Sequence, residues 1–149
     1  QELGRRSGTH NVAAIVGLGV AVDSAVAERS VYRSQVGAAR DRFEQDLRSK
    51  INVELTADDA DRLVSHSHLR FPGIPAETLL VRLDLAGVAA AAGAACHSGA
   101  VQESHVLAAM GVDDTAASES IRFSFGRDDD AGTGSLAARI VSEVVEELS

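Results

Sequence analysis

The stretch SIRFSFG, residues 120–126, alternates polar and bulky apolar side chains along its whole length. Successive side chains of a β-strand point to opposite faces, so Ile121, Phe123 and Phe125 share one face and Arg122 lies on the other. The stretch therefore predicts a strand whose phenylalanines point into the core. Because aromatic residues make up only 3% of the chain, the rest of the core must be built from Ala, Val, Leu and Ile.

Other segments complete an α+β pattern around this strand. Apolar residues recur every three or four positions over residues 12–50, which predicts a long helix with a break near Ser30. Three or four strands with helices on one side are expected. The predicted elements, in chain order, are a loop at 1–11, the helix at 12–50, strands at 51–55 and 66–71, a helix at 76–85, a strand at 88–92, a short helix from the N-cap Ser104 through Met110, the strand at 120–126, a turn at 127–134 and a helix at 135–148.

Composition excludes several classes of protein. The 149 residues carry 14 Lys+Arg against 22 Asp+Glu, a net charge of -8, and 45% are hydrophobic, which is typical of one globular domain or lobe. The acidic balance argues against direct nucleic-acid binding, because phosphate-backbone binders cluster Lys and Arg. No apolar run reaches the roughly 18 residues of a membrane span. We therefore predict a soluble, cytoplasmic protein with no nucleic-acid or membrane partner.

Cys96 is the chain's one cysteine, so an internal disulfide and an all-cysteine metal site are both excluded. It lies in a loop rich in Gly, Ala and Ser, next to His97, where a thiol is accessible and its pKa can be lowered. A buried, inert cysteine is the alternative, since free Cys is often buried. His66 and His68 alternate on a strand without a Cys or carboxylate at a suitable spacing, so we interpret them as surface histidines and predict no metal site.

Four motifs, taken together and in order, resemble those of pyridoxal-phosphate-dependent cysteine desulfurases of the NifS/IscS type. The strongest is the cysteine loop. The motifs are RSGT at residues 6–9 with Asn11, FPGI at 71–74, GAACHSG at 93–99 followed by ESHVL at 103–107 and MG at 110–111, and SIRFSFGR at 120–127. The resemblance covers the whole chain but only the C-terminal part of the family.

The resemblance implies the small C-terminal domain of a fold-type I pyridoxal-phosphate-dependent transferase of the class V aminotransferase family. Residues 1–11 would be the loop at the end of the large domain that reaches the cofactor phosphate and the dimer interface. Residues 12–149 would be the small domain, with the active-site cysteine loop at about 93–104. The chain's one lysine, Lys50, has none of the Ser/His context of the cofactor lysine. We therefore expect a fragment that is inactive alone.

The resemblance also assigns roles to individual residues. Cys96 would take the sulfur of L-cysteine as a persulfide, and Arg122 would bind the substrate carboxylate. Gly8 and Thr9 would contact the phosphate of pyridoxal phosphate across a subunit boundary, which implies a homodimer. Without the resemblance, Arg122 is a strand arginine facing solvent and Thr9 is a helix-capping residue.

The implied reaction converts L-cysteine and an acceptor thiol into L-alanine and a persulfide. The sulfur would pass to an acceptor such as a scaffold or thiolation protein, in iron–sulfur cluster assembly, tRNA thiolation or DNA phosphorothioation. The alternatives are a selenocysteine lyase or aminotransferase-like relative, and a non-catalytic lobe that carries persulfide or binds partners. Leu3 and His97 depart from the family pattern, and His97 bears on the thiol pKa or the choice of acceptor.

Overall fold

The computed structural model of the protein describes residues 2–92 and 104–148. It divides into two compact units, Gln1–Tyr32 and Arg33–Ser149. The division expected from the resemblance, between the end of a large domain at residue 11 and a small domain from residue 12, stays a prediction.

The first unit is mostly helical. After a 3₁₀ turn at Glu2–Gly4 and a loop, helix α1 spans Val12–Ala27, with the Asn11 side chain accepting a hydrogen bond from the Ala14 N–H at 3.1 Å. The predicted helix break is confirmed and lies at Glu28. However, α1 buries no residue, although its apolar side chains are spread around the helix, a pattern that is typical of a buried helix. Those more than half exposed are Val12, Ile15, Val16, Leu18, Val20, Val22 and Val26.

The second unit contains an antiparallel sheet of four strands, and three or four were expected from the sequence. Its strand order is β1-β2-β4-β3. The strands are β1 (Glu54–Leu55), β2 (His66–Arg70), β3 (Ala91–Ala92) and β4 (Ser120–Ser124). The strand positions are as predicted, but β1 and β3 are only two residues long.

One face of this sheet packs on helices to form the core. The helices that contribute buried residues to it are α2 (Arg29–Lys50), α3 (Ala76–Leu85) and α6 (Ala131–Glu146). Ile121, Phe123 and Phe125 are buried there, which confirms the inward face predicted from alternation. The ring of Phe43 on α2 lies 4.9 Å from that of Phe123 and 5.4 Å from that of Phe125, so the few aromatic residues gather at one point.

Two short helices follow the cysteine loop in sequence. Helix α4 (His105–Ala109) begins after Ser104, whose hydroxyl accepts the Leu107 N–H at 3.4 Å, so the predicted cap is confirmed. Helix α5 (Asp114–Ser118) was not predicted; it is a single short turn capped by Asp113. Since α4 faces the sheet surface opposite the core, the expectation of helices on one side is wrong.

The last helix begins earlier than predicted. Asp130 caps α6 by accepting the Thr133 N–H at 3.0 Å, so the helix starts at Ala131 and not at Ser135. Asp129 accepts the Gly126 N–H at 2.6 Å. Two of the three consecutive aspartates therefore accept backbone hydrogen bonds, and the run is not only a solvated turn. Among the helices at residues 2–92 and 104–148, none is long and apolar enough to cross a membrane.

Candidate functional site

A cavity of about 350 Å³ lies between the outer face of the sheet and α4. Leu63, Leu107 and Met110 give it an apolar wall. His68 and Arg122 line it from strands β2 and β4. An apolar pocket with a few convergent polar groups is the usual form of a small-molecule site.

Arg122 occupies the middle of the sheet on its outer face. Its strand neighbours are His68 on β2 and Ala91 on β3. The residue is exposed, and among residues 2–92 and 104–148 no carboxylate pairs with it. Its guanidinium is therefore available to bind an anion, which a planar fork of N–H donors does well.

The other arginines near this face are already paired. Arg62, which also lines the cavity, donates to both carboxylate oxygens of Glu44 at 2.9 and 3.2 Å. Arg70 on β2 donates to Glu119 at 2.8 Å and to Glu54 at 3.0 Å. Of the arginines that line the cavity in the described part of the chain, Arg122 is the one left for a ligand.

His68 is half-buried, so its interpretation as a surface histidine is wrong. Its Nδ1 lies 2.8 Å from the hydroxyl of Thr56, while its Nε2 is buried and has no partner among the described residues. Burial, and secondarily the charge of Arg122, lower the pKa of His68, which keeps the ring neutral at pH 7. Alternation along β2 places His68 on the same outer face as Arg122 on β4. The sequence therefore contained a signal that His68 belongs to the candidate site.

The FPGI motif is tied to the start of β4. Glu119 accepts hydrogen bonds from the Gly73 N–H at 3.0 Å and from Arg70 at 2.8 Å. Gly73 has φ +84°, a conformation that favours glycine and fits the turn after Pro72. The Glu119 carboxylate thus links the FPGI motif to the residue that precedes the SIRFSFGR motif. This contact holds the start of the strand that carries Arg122.

In the first unit, Gly8 and Thr9 lie in an exposed loop. The guanidinium of Arg6 donates to the carbonyl oxygens of both residues, at 2.7 Å to Gly8 and 3.1 Å to Thr9. Gly8 has φ +86°, so glycine suits the position. The Thr9 hydroxyl has no hydrogen-bond partner among the described residues, so it can donate to a phosphate oxygen.

The described residues fit the cofactor only in part. Thr9 offers a donor that suits a phosphate group, as the resemblance implies. Lys50 is exposed at the C-terminal end of α2, so this chain offers no enclosed lysine for covalent attachment of pyridoxal phosphate. The fit therefore extends to a phosphate contact and not to the covalent link.

Cys96 and its neighbour His97 lie outside the described residues. The predicted cysteine loop at about 93–104 is described only at Ser104, which caps α4. Within residues 2–92 and 104–148, no three His, Cys, Asp or Glu side chains lie together as a metal site would require.

Comparison with known proteins places the chain in a family. The model of the aminotransferase class-V family matches residues 1–132, so the chain belongs to this family. It is 46% identical over 129 residues to a cysteine desulfurase of Gluconacetobacter diazotrophicus, covering 86% of this chain and 32% of that protein. It is 40% identical over 151 residues to the putative cysteine desulfurase IscS 1 of Bacillus subtilis, covering 100% of this chain and 40% of that protein.

A solved structure agrees with the sequence relatives. A NifS-like protein superposes with a TM-score of 0.82 at 27% identity, covering 99% of this chain and 37% of that one. The α+β fold and the resemblance to cysteine desulfurases are thereby confirmed. The chain spans between 32% and 40% of the length of the two curated relatives described above.

Proposed function

We propose that the protein acts as part of a cysteine desulfurase, which takes sulfur from L-cysteine with the help of pyridoxal phosphate and leaves L-alanine. The placement of Arg122 carries the proposal. It is a cation without a carboxylate partner among the described residues, on a strand fixed by Glu119, at a cavity large enough for an amino acid. The identity to cysteine desulfurases supports the same reaction.

Arg122 binds the carboxylate of L-cysteine through paired N–H donors, which orients the substrate. The cofactor, when bound, supplies the electron sink for cleavage of the carbon–sulfur bond. The Cys96 thiolate attacks the substrate sulfur, so an S–S bond forms as the carbon–sulfur bond breaks. The electron pair of the broken bond stays with the carbon, which takes up a proton to become the methyl group of L-alanine. The products are L-alanine and a persulfide on Cys96.

Gly8 and Thr9 contact the phosphate of the cofactor in a second copy of the chain, so the working form is a homodimer. The exposed loop geometry at Gly8 and Thr9 supports this assignment. The persulfide passes from Cys96 to the thiol of an acceptor, a scaffold or thiolation protein of the cytoplasm. Residues 1–149 on their own are inactive, because their one lysine, Lys50, is exposed at the end of α2 and offers no enclosed site for the cofactor.

Replacement of Cys96 tests the proposal. In the complete gene product loaded with pyridoxal phosphate, Cys96→Ala is expected to keep the absorption spectrum of the bound cofactor and to lose sulfur transfer to an acceptor thiol by at least a hundredfold. The physical reason is that alanine has no nucleophile to receive the sulfur. The measurement is L-alanine and persulfide formed from L-cysteine.

His105→Asn is the matched control, because His105 is exposed on α4 and does not line the cavity. It is expected to transfer sulfur as the unaltered protein does. Undiminished transfer by Cys96→Ala would contradict the proposal. L-Alanine formed only from selenocysteine would instead indicate a lyase.

A further inference from the structure

His68 and Arg122 lie directly opposite each other on the adjoining strands β2 and β4. Both side chains are on the outer face of the sheet and both line the same cavity. Facing residues of an antiparallel pair have Cβ atoms about 4.5–5.5 Å apart. A small anion at the guanidinium of Arg122 is therefore within reach of the imidazole of His68.

The two nitrogens of His68 have different surroundings. Nδ1 is 2.8 Å from the Thr56 hydroxyl, whereas Nε2 is buried without a partner among the described residues. A buried polar atom without a partner is rare in folded proteins and calls for a ligand or water. When Thr56 donates to Nδ1, the proton of the neutral ring is on Nε2, which is then a donor without an acceptor.

We propose that His68 is a second substrate-binding residue: its Nε2–H donates to the carboxylate that Arg122 binds. Thr56 acts through His68 as a positioning residue: its hydroxyl orients the ring and, by donating to Nδ1, leaves the ring proton on Nε2. This inference rests on the proposed function, because the carboxylate is that of L-cysteine. The neutral donor fixes the orientation of the carboxylate while Arg122 supplies the charge.

Arg62 and His66 also line the cavity but do not compete for this role. Arg62 is held by both oxygens of Glu44. His66 faces Ser124 across the strands, two cross-strand pairs away from Arg122, and its Nδ1 lies 3.1 Å from the hydroxyl of Ser65. Within the described residues, His68 is the histidine that combines an unpartnered buried nitrogen with a position opposite Arg122.

The test uses inhibition of the complete gene product, loaded with pyridoxal phosphate, by two amines that differ in the carboxylate. L-Alanine has the carboxylate and ethylamine lacks it. His68→Ala is expected to raise the inhibition constant of L-alanine about tenfold, as loss of a hydrogen bond to a charged group does, and to leave that of ethylamine unchanged. Thr56→Val should raise the constant for L-alanine by a smaller factor.

Three further variants separate loss of the hydrogen bond from other effects. His68→Asn keeps an N–H donor and is expected to recover part of the lost affinity for L-alanine. Arg122→Lys marks the effect of a weakened carboxylate site, and His105→Asn, on the exposed side of α4, is expected to change neither constant. An equal rise for L-alanine and ethylamine in His68→Ala would show a structural role and overturn the inference.

An unchanged constant for L-alanine in His68→Ala would also overturn it. Failure of the proposed function is distinguishable, since it would appear in the unaltered protein as L-cysteine that yields no persulfide. In that case L-alanine binding to the complete gene product, followed by the ¹⁵N chemical shift of His68 Nε2, still tests the carboxylate contact. The result expected is a shift with L-alanine that ethylamine does not produce.

Discussion

Arg122 and His68 lie opposite each other in the sheet, but one side chain is charged and the other is neutral. Arg122 stays charged and has no carboxylate partner among the described residues. His68 is kept neutral by burial and by the charge of Arg122 beside it. Alternation along β4 predicted the direction of Arg122, but the surroundings of His68 also depend on Thr56, which lies 12 residues away in sequence. Such non-local contacts are not encoded in a strand pattern.

The lowered pKa of His68 predicts a pH dependence of stability. Its unfolded pKa is about 6.5. Below that value the unfolded state binds a proton that the folded state resists, so the free energy of unfolding falls as pH drops. The loss for this one proton is at most about 1.4 kcal/mol per pH unit. We expect urea denaturation of the unaltered protein to show a steeper loss from pH 7 to pH 5 than that of His68→Asn.

The comparison isolates His68 within this pH range. Hydrogen bonds from Ser135 and Arg48, respectively, lower the pKa of Asp46 and Asp58, so the stability these carboxylates contribute is lost only below about pH 3.8. His66 is present in both proteins, so it contributes equally to the two curves. Parallel losses in the two proteins would contradict the assigned state of His68.

At the scale of elements, the sequence predicted those that have a local signal. Helix α3 spans Ala76–Leu85 as predicted, because Pro75 before it and Gly87 after it mark its ends. The start of α6 was misplaced since the Asp130 cap is one of three consecutive aspartates, and the sequence does not distinguish among them. Helix α1 was predicted, but its lack of burial was not.

The contact between α2 and α6 depends on a glycine. A Cβ built at Gly134 would overlap the backbone carbonyl oxygen of Ala39. Gly134→Ala is therefore expected to push the helices apart and to lower the free energy of unfolding by about 1–3 kcal/mol. Chemical denaturation monitored by circular dichroism measures the change.

Gly37 provides a matched control on the facing helix α2. A Cβ there would lie 3.8 Å from that of Val64, an ordinary contact. Gly37→Ala should raise the free energy of unfolding by about 0.5–1 kcal/mol, because alanine favours the helix. Similar small gains for both variants would show that α2 and α6 do not approach as closely as described.

At the scale of the whole molecule, the chain corresponds to between 32% and 40% of the two curated cysteine desulfurases compared above. Its core is one sheet face covered by α2, α3 and α6, and its candidate site is on the opposite face. The fold class was predictable from alternation and helical periodicity. The roles proposed for Cys96 and Thr9 come from the family motifs, because neither a loop cysteine nor a capping threonine has a physical signal that separates function from structure.

The most direct test of the account is the mass of the complete gene product with pyridoxal phosphate, before and after L-cysteine, with peptide mapping of any added sulfur. The account predicts that the peptide containing Cys96 gains the mass of one sulfur atom and that dithiothreitol removes it. An unmodified Cys96 in protein that binds the cofactor and consumes L-cysteine would contradict it.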